Sequence, residues 1–526
     1  MKKMFKFFIG AAIVAAGFTA CSEEVIPVSG QEGNGSGTQD EKESTYATFQ
    51  LNLGDVASRA TTFDPPTSGS DQDNVAGDKA LDPNDVRLLI FNSATKSLEI
   101  NEVFGTANKT VLVQAGNKKI FVFGNTKGTL STAFKNVADL AVGVATLDNF
   151  YDIIYDAGAP QDHKATGSRT FDIEPLHAKA SATTGLPVSN SNAVEYELKP
   201  NIEESAAAGG TAVVGGSSAT NTFKIEAVFM IAKARLSLGD TEDKLVTGGS
   251  NDKVSEIFYT IRNLARKTNF VQNVVTGVTR SYYYDFITAT TPASVYSDNF
   301  DRASKLGTTK ISTTAGNYLY VPENNGKLLR YGQASRFTIK AKFEPGKVIT
   351  DATFKTSGIE LTIQKLADAG SSNSYVYTIA PIPGIPQGSY FASLDVLRKT
   401  AWLYQFNQPW PATPPTAEMD AIVTAADEAS AGTTPNRKLY YQFTNAESWY
   451  TLPLGESTNA ANLQPGVLRG KAYNAKINSI TGPGVPKEDI VEDPGRNGDP
   501  IVSTTYISAT IEVKDWAVVG QVGDLN

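Results

Sequence analysis

Alternation of apolar and polar residues begins at residue 46 and predicts a β-strand there. In residues 46–53 every second side chain is apolar, and most of the side chains between them are polar. The apolar set comprises Ala47, Phe49, Leu51 and Leu53. Because successive side chains of a strand point to opposite faces, this segment is predicted to bury one face and to leave the other polar.

Later segments show other apolar patterns, which predict further strands and two helices. Residues 85–92 and 118–125 carry continuous apolar runs, which are typical of core strands. Residues 223–236 are interpreted as one long strand, whose second half is apolar on both faces, as at the centre of a sheet. Apolar residues at helical spacing predict two helices, at residues 147–154 and 416–431.

The carboxyl-terminal segment alternates most regularly. Apolar residues occupy every second position from 507 to 513, and the pattern resumes after Asp515. The apolar positions are Ile507, Ala509, Ile511, Val513, Trp516 and Val518. Since chain ends fray unless they are held, this end is predicted to be buried, either as the last strand of its own sheet or in a neighbouring molecule.

Composition supports a mainly β protein with a few short helices. Hydrophobic residues make up 41% of the 526 residues, which is enough for sizeable cores, while 44 glycines and 25 prolines punctuate many short segments. The amino-acid composition of the sequence changes near residue 275. We therefore predict two β-sandwich domains in tandem, of transthyretin-like or Greek-key type, over residues 60–275 and 276–526.

Residues 1–20 have the features of a secretory signal peptide, because lysines precede a short apolar run that ends in small residues. The run is too short for a transmembrane helix, which needs about 20 apolar residues. Cys21, the only cysteine, follows in the order Phe18-Thr19-Ala20-Cys21, which resembles the lipobox of bacterial lipoproteins. We expect lipid on Cys21 and attachment of the precursor to the outer membrane. The alternative is an ordinary signal peptide with an incidental cysteine.

Residues 21–59 are predicted to form a propeptide, in which a polar, glycine-rich linker precedes the strand of residues 46–53. Arg59 follows that strand and is the first arginine of the chain. Exposed loops are preferred sites of proteolysis, so the bond between Arg59 and Ala60 is a candidate cleavage site. From composition alone, a solvated arginine in an ordinary strand connection is the alternative.

Charge and side-chain chemistry point away from nucleic-acid binding and from catalysis. The net charge is −8 and no basic stripe is present, so nucleic acid is not an expected partner. His163 and His177 are the only histidines, which leaves no histidine-rich zinc site. The sequence has no P-loop, and its glycine-rich segment lacks the strand and helix that a dinucleotide site requires. We predict a protein that is not an enzyme and needs no cofactor and no metal.

Several segments, taken in order, resemble the type V fimbrillins, which are lipoprotein pilins of Gram-negative anaerobes, and most closely their minor-fimbria shaft subunits. The resemblance covers most of the chain. The segments are the lipobox at Cys21, residues 51–60, 119–125, 231–234, 320–325, 466–473 and 477–484, and the tryptophan-bearing tail. The resemblance implies a structural subunit of a cell-surface fimbria that supports adhesion.

The resemblance also implies a mechanism of assembly. In such pilins an arginine-specific protease removes the strand that precedes the arginine, which here contains Phe49, Leu51 and Leu53. Cleavage would fall between Arg59 and Ala60, and the emptied groove would accept the carboxyl-terminal strand of another subunit. The implied partners are copies of the same chain, tip and anchor subunits, the protease, the outer membrane through the lipid, and surface receptors of host or bacteria.

A surface lipoprotein that binds glycans without polymerising is the principal alternative. Aromatic residues cluster near several prolines, and their rings could stack on sugars, although such clusters are more often packed in cores or loops. They are Trp402, Tyr404, Phe406 and Trp410. A tip adhesin of the same fimbrial system is disfavoured, because it would lack a donor-like tail.

Overall fold

Strands dominate the computed structural model of the protein, as predicted, and the few helices are short. The structure describes residues 43–52, 84, 86–106, 108–124, 137–154, 170–172, 188–190, 194–247, 251–265, 267–269, 273–275, 278–280, 300–301, 311–313, 318–325, 332–370, 373–413, 416–425, 437–455, 466–488 and 506–515. These residues belong to one unit, Glu43–Asn526.

The bounds of the described elements are as follows. The first strands are β1 Ser44–Asn52, β2 Val86–Asn92, β3 Leu98–Val103, β4 Asn108–Gln114, β5 Gly116–Gly124, β6 Thr170–Asp172, β7 Val188–Asn190, β8 Val194–Leu198, β9 Val213–Val214, β10 Gly216–Ser217 and β11 Thr222–Phe229. They are followed by β12 Ile231–Leu238, β13 Lys253–Arg262, β14 Leu264–Ala265, β15 Lys267–Asn269, β16 Asn273–Val275, β17 Val278–Arg280, β18 Phe300–Asp301, β19 Leu319–Pro322, β20 Asn324–Asn325, β21 Arg336–Glu344, β22 Val348–Lys355, β23 Gly358–Gln364, β24 Tyr375–Thr378, β25 Tyr390–Phe391, β26 Thr424–Ala425, β27 Arg437–Lys438, β28 Tyr440–Phe443, β29 Glu447–Pro453, β30 Gly466–Val467, β31 Lys471–Ile480 and β32 Ile507–Asp515. The α-helices are α1 Leu147–Ile154, α2 Glu204–Gly209, α3 Glu242–Leu245, α4 Leu394–Phe406 and α5 Thr416–Ile422, and a 3-10 helix spans Leu366–Ala369.

The largest sheet contains the amino-terminal strand β1. Its main path runs β10-β8-β5-β7-β11-β1-β4, with β2 and β3 branching from β5, and β9 pairing with β11. Apolar side chains of these strands form most of a first core, which runs along the chain from Ala47 to Ile231 and is joined by Tyr318, Tyr320 and Ala472. The sheet places β1 between two other strands rather than at an edge.

Three further sheets surround a second core, which begins at Ala232 and ends at Ile480. Their strand orders are β19-β12-β31-β32, β13-β21-β29 and β23-β22-β25-β24-β28. The last of these sheets is covered on both faces, because Tyr375 and Tyr377 contribute to the second core while Val376 contributes to a third, smaller cluster with α4. The sandwich-like packing agrees with the predicted fold class, and the predicted domain limits of 60–275 and 276–526 stay predictions.

The chain passes from the first core to the second inside the segment that was predicted to be one strand. β11 ends at Phe229, and β12 begins at Ile231 in another sheet, with the buried Met230 between them. Because both strands are strongly apolar, the hydrophobic pattern runs on without a break and hides the change of sheet. The prediction of a single strand over residues 223–236 is therefore wrong.

The helices were predicted less well than the strands. α1 confirms the prediction for residues 147–154. α5 ends at Ile422 and a strand follows, so the helix predicted for residues 416–431 is wrong at Thr424 and Ala425, and its remaining residues, 426–431, lie outside the described part of the chain. The Thr424 hydroxyl donates to the Asp420 carbonyl at 2.8 Å, and Thr424 pairs with Lys438 of β27. The Thr424 side chain thus hydrogen-bonds to a carbonyl at the end of the helix, where the chain continues as a strand.

The longest described helix, α4, was not predicted. Ser393 caps its start by accepting a hydrogen bond from the Val396 amide at 3.3 Å, and Asn407 ends it in the left-handed conformation at φ 50°. Leu397 and Ala401 are fully buried one turn apart. Both the capping residues and this spacing are present in the sequence.

A buried ion pair joins elements around the first and second cores. Arg469 donates to the Glu323 carboxylate at 2.7 Å and to the Ser189 hydroxyl of β7 at 3.3 Å. The side chains of Arg469 and Glu323 are both fully buried. A buried pair of this kind is poorly tolerant of losing one partner, because the remaining charge has no water to solvate it.

Substitution of Arg469 by methionine is expected to lower the free energy of unfolding by about 3–5 kcal/mol, because it leaves the Glu323 carboxylate buried without its cation. The double variant Arg469→Met/Glu323→Gln should lose less than the single variant. Urea denaturation measures both. Lys342→Met is the matched control, because its pair with Glu256 is exposed and should contribute less than about 1 kcal/mol. Equal losses in the Arg469 and Lys342 variants would contradict the expectation.

Candidate functional site

β1 occupies a position between β4 and β11, which we call the β1 slot. It pairs in parallel with β11, from Thr48 opposite Thr222 to Asn52 opposite Glu226. It pairs antiparallel with β4, from Ser44 opposite Gln114 to Gln50 opposite Asn108. Removing β1 would therefore open two ladders of backbone N–H and C=O groups at once, a surface that favours pairing with another strand.

The inward face of β1 completes the first core. Ala47 and Phe49 are fully buried, and Leu51 is nearly so. The Phe49 ring stacks on Phe223 of β11 at a centroid distance of 5.9 Å and meets the edge of Tyr196 at 6.4 Å. Such aromatic contacts stabilise the strand beyond the burial of its area. Leu53, which was predicted to share this face, lies outside the described residues.

A buried asparagine fastens the beginning of β1. Asn221 has φ 52° and no exposed surface, and its amide nitrogen donates to the Thr45 hydroxyl at 3.0 Å and to the Tyr46 carbonyl at 3.1 Å. The same nitrogen lies 2.8 Å from the Lys199 carbonyl. The Tyr46 amide in turn donates to the carbonyl of Ile202 at 3.0 Å. Asn221 was not singled out from the sequence, where it is one of many polar residues in a loop.

Substitution of Asn221 by glycine is expected to loosen β1 selectively, because it removes the side-chain hydrogen bonds while tolerating the positive φ. The loss in free energy of unfolding should be about 1–3 kcal/mol. Hydrogen exchange of the β1 amides should accelerate more than that of β13 or β21. Asn373→Gly is the control, because Asn373 also has positive φ, 59°, and its side chain donates to Glu344. Uniform acceleration of exchange in all sheets would argue against this role.

The covalent link between β1 and the rest of the described chain runs through residues 53–85. Arg59 is the only arginine in that stretch. Arg59 and Ala60 lie outside the described residues, as does Cys21, the predicted site of lipidation. Cutting after Arg59 would leave β1 held in the slot by non-covalent contacts alone.

The tail, which we define as residues 506–526, is described as far as Asp515. Its strand β32 pairs antiparallel with β31 and lies at the edge of its sheet among the described strands. The predicted apolar face is half-buried against the second core, while Ser508 and Thr510 are exposed. That face consists of Ile507, Ala509, Ile511 and Val513. Trp516 and Val518 lie outside the described residues.

Tyrosines gather where the tail begins. The Tyr506 ring meets the edge of Tyr377 at 6.3 Å, and a side chain at Gly482 would lie only 2.6 Å from the Tyr506 ring. Burial raises the pKa of Tyr390 and of Tyr450 far above the ordinary tyrosine value. The second core therefore favours neutral phenols beside the first residue of the tail.

Stability should accordingly fall as the pH rises above about 10, the ordinary tyrosine pKa. The folded pKa values of Tyr390 and Tyr450 lie above that of the unfolded chain, so the unfolded state loses its phenol protons first. Their contribution is complete below about pH 10 and is lost as the pH rises toward the folded pKa values. Thermal midpoints measured across this range check the prediction. Tyr390→Phe should reduce the alkaline loss, and an unchanged slope would contradict the assignment.

Of the four aromatic residues proposed for sugar stacking, three pack on one another and Tyr404 packs against the third cluster. Trp402 and Phe406 of α4 lie with ring centroids 4.1 Å apart, and Trp410 approaches Trp402 edge-on at 6.3 Å. Phe406 is 40% exposed, whereas Tyr404 is half-buried. The arrangement resembles packing at the end of a helix rather than an open platform.

Two kinds of feature are absent from the described part of the chain. No group of three or more His, Cys, Asp or Glu residues there is placed to hold a metal ion. None of the helices described is long and apolar enough to cross a membrane. The predicted absence of metal and cofactor stays a prediction.

The carboxyl-terminal strands can be compared with known families. A family model described as major fimbrial subunit protein type IV, fimbrillin, C-terminal, matches residues 441–521. The fimbrillin resemblance is confirmed for this segment. The fimbrillin-like segment contains β29, β31 and β32, and hence the described part of the tail. The closer resemblance to minor-fimbria shaft subunits stays a prediction.

Comparison with solved structures finds proteins described as adhesion or fimbrial proteins, all with low TM-scores. A candidate cell adhesion protein from Bacteroides eggerthii is 13% identical with a TM-score of 0.37, covering 91% of this chain and 98% of that one. The tip fimbrial protein Mfa3 from Porphyromonas gingivalis, solved with a C-terminal truncation, is 10% identical with a TM-score of 0.34, covering 90% of this chain and 100% of that one. A fimbrial assembly protein from Parabacteroides distasonis is 12% identical with a TM-score of 0.29, covering 62% and 97%. No curated protein matches the sequence.

Proposed function

We propose that the protein is a shaft subunit of a cell-surface fimbria, exported as an outer-membrane lipoprotein, cleaved between Arg59 and Ala60, and polymerised by strand exchange. The observation that carries the proposal is the central position of β1 in the largest sheet, combined with its attachment through a stretch that contains a single arginine. The fimbrillin match of residues 441–521 supports the same class of function.

Cleavage makes the binding of β1 to its slot intermolecular instead of intramolecular, while the contacts of β1 stay the same. While the chain is intact, β1 is tethered to its own slot at an effective concentration in the millimolar range or above. After cleavage, β1 and the lipid on Cys21 form one separate fragment, residues 21–59. Its dissociation then empties the slot and frees the subunit from its membrane anchor together.

The tail of a second subunit has a physical reason to enter the emptied slot. Among the described strands β32 pairs with β31 alone, whereas the slot offers a strand on each side. Ile507, Ile511 and Val513 are only half-buried at present, and completing their burial would contribute about 2–5 kcal/mol. The added backbone ladder and the filling of the groove favour exchange further, against the cost of ordering and association.

Strand exchange of this kind extends without limit, because the slot and the tail are different surfaces of one subunit. A contact between unlike surfaces is heterologous, and it produces an open filament unless its rotation closes a ring. A subunit with both surfaces fits the shaft, with tip and anchor subunits at the two ends and an arginine-specific protease as the processing partner. Such a filament would support adhesion to host or bacterial surfaces.

The proposal is tested by treating purified protein with an arginine-specific protease, sequencing the new amino terminus and following mass by native electrophoresis. A terminus at Ala60 together with a ladder of oligomers is expected. A persistent monomer after complete cleavage at Arg59 would overturn the polymerising function and would favour a surface lipoprotein that acts alone.

A further inference from the structure

The tail repeats the sequence pattern of β1. Residues 47–51 read Ala-Thr-Phe-Gln-Leu, and residues 509–513 read Ala-Thr-Ile-Glu-Val. Both runs therefore have alanine, threonine, a large apolar residue, a Gln or Glu side chain and a second large apolar residue in the same order. One run occupies the slot in the structure, and the other lies in the strand β32.

The alanine marks a position with little space. Ala47 is fully buried and faces Val111 across the ladder to β4. Interiors are packed as densely as organic crystals, so a larger side chain here would require its neighbours to move. On the apolar face of β32, Ala509 is the only small residue from Ile507 to Val513. Moving the tail by two residues in either direction would place an isoleucine at the Ala47 position.

The threonine meets a second threonine on the wall of the slot. The hydroxyls of Thr48 and Thr110 lie 2.8 Å apart, and Thr48 is 2% exposed because α2 packs over this side of β1. Thr510 at the same position would restore the hydroxyl pair. A shift of two residues in one direction would instead place Glu512 there and bury a carboxylate, which is unfavourable without a cation.

At the next outward-facing position the tail carries a charged residue, which a residue of the slot wall can pair with. Gln50 lies opposite Lys224 of β11, whose side chain is exposed. Glu512 at the Gln50 position would face that lysine, and opposite charges on facing strands stabilise a sheet. The two apolar positions that follow Ala509 are no larger than the residues they replace, since Ile511 would stand for Phe49 and Val513 for Leu51.

We infer that the tail of a second copy enters the β1 slot with Ala509 at the Ala47 position and Thr510 at the Thr48 position. The donor strand runs in the direction of β1, parallel to β11 and antiparallel to β4. This inference rests on the proposed strand exchange and specifies its partner surface residue by residue. The segment with Trp516 and Val518 then lies beyond the part of the slot that residues 47–51 occupy.

A disulfide between subunits tests the register. The acceptor carries Thr110→Cys and the donor carries Thr510→Cys; both are cleaved at Arg59, which removes Cys21, the only native thiol. Because the Thr48 and Thr110 side chains face each other directly, cysteines at these positions are expected to form a disulfide between donor and acceptor. The readout is a cross-linked dimer in denaturing, non-reducing electrophoresis of the mixed subunits.

Shifted cysteines provide the matched controls. Ser508→Cys and Glu512→Cys lie two residues away on the same face, and Val519→Cys probes insertion of the later stretch. The Thr510→Cys donor should give at least about ten-fold more dimer than each of these. More dimer from a shifted cysteine, or oligomers in which none of them links to position 110, would overturn the register. Unsubstituted subunits that stay monomeric after complete cleavage would instead overturn strand exchange itself.

A charge swap gives an independent readout of the same register. Glu512→Lys in the donor should slow chain extension about two- to five-fold, the range expected for an exposed facing pair on a sheet. Lys224→Glu in the acceptor should restore the rate. Lys109→Glu is the control, because Lys109 lies opposite Phe49 in the ladder to β4 and pairs with Glu102. Rescue by Lys109→Glu but not by Lys224→Glu would contradict the alignment.

Discussion

Substitution of Arg59 by alanine is expected to give a folded, soluble protein that does not polymerise after exposure to an arginine-specific protease. β1 remains tethered to its slot, where its effective concentration exceeds that of a micromolar competing tail by about a thousand-fold. β1 also fills the slot with larger side chains than the tail offers, notably Phe49. Size-exclusion chromatography before and after protease treatment measures the outcome.

A second variant separates the need for a cut from the need for Arg59 itself. Lys79→Arg on the Arg59→Ala background restores one arginine to the same connection, residues 53–85, at another place. Cutting there also severs β1, so polymerisation should return if release of β1 is the decisive event. Arg59→Lys keeps the charge but not the recognition by the protease, and it should behave like Arg59→Ala. Normal polymers from uncut Arg59→Ala subunits would contradict a mechanism that depends on cleavage.

Removal of the tail is expected to produce subunits that can end a chain but cannot continue it. Without residues 506–526 the β1 slot is intact, so a cleaved truncated subunit can still receive the tail of a normal one. Mixed with normal subunits, it should shorten filaments in proportion to its share. Length distributions from electron microscopy measure this directly.

A shorter truncation is the matched control, because loss of β32 also uncovers part of the second core and an edge of β31. Removing only residues 516–526 keeps all of β32 and should permit extension if residues 507–513 are the inserting strand. Ile511→Glu offers a full-length alternative, since it places a carboxylate on the face that would enter the slot. Filaments of normal length from the 506–526 deletion would refute the assignment of the tail as donor.

Hydrophobic patterns in the sequence, either alternating or continuously apolar, were sufficient to predict several strands. β1, β2, β5 and β32 begin and end within two residues of their predictions, because a half-buried or fully apolar strand has a signal in its own residues. The fimbrillin resemblance of the carboxyl-terminal segment was predicted from short runs as well, and the match of residues 441–521 confirms it there.

Local sequence patterns could not predict which distant segments pair with one another. Nothing within residues 46–53 indicates that the strand pairs in parallel with β11, far along the chain, or that Asn221 holds its first residues. The same limit explains the missed break at Met230, where two sheets share one apolar run. Arg469 could be seen as charged, but its burial beside Glu323 depends on three separate segments meeting.

The short passage through Met230 has a mechanical consequence. β11, the wall of the β1 slot, continues through one residue into β12, which pairs with β31, the strand that holds β32. In a filament formed by exchange of the tail, a pulling force on the strand in the slot would pass through its ladder with β11 into the continuous backbone of β11 and β12. The ladder of β12 with β31 would then carry the force into the second core. The hydrogen bonds of an antiparallel ladder lie perpendicular to its strands, so traction along the tail loads them together rather than one after another. The subunit is thereby suited to bear tension along its length.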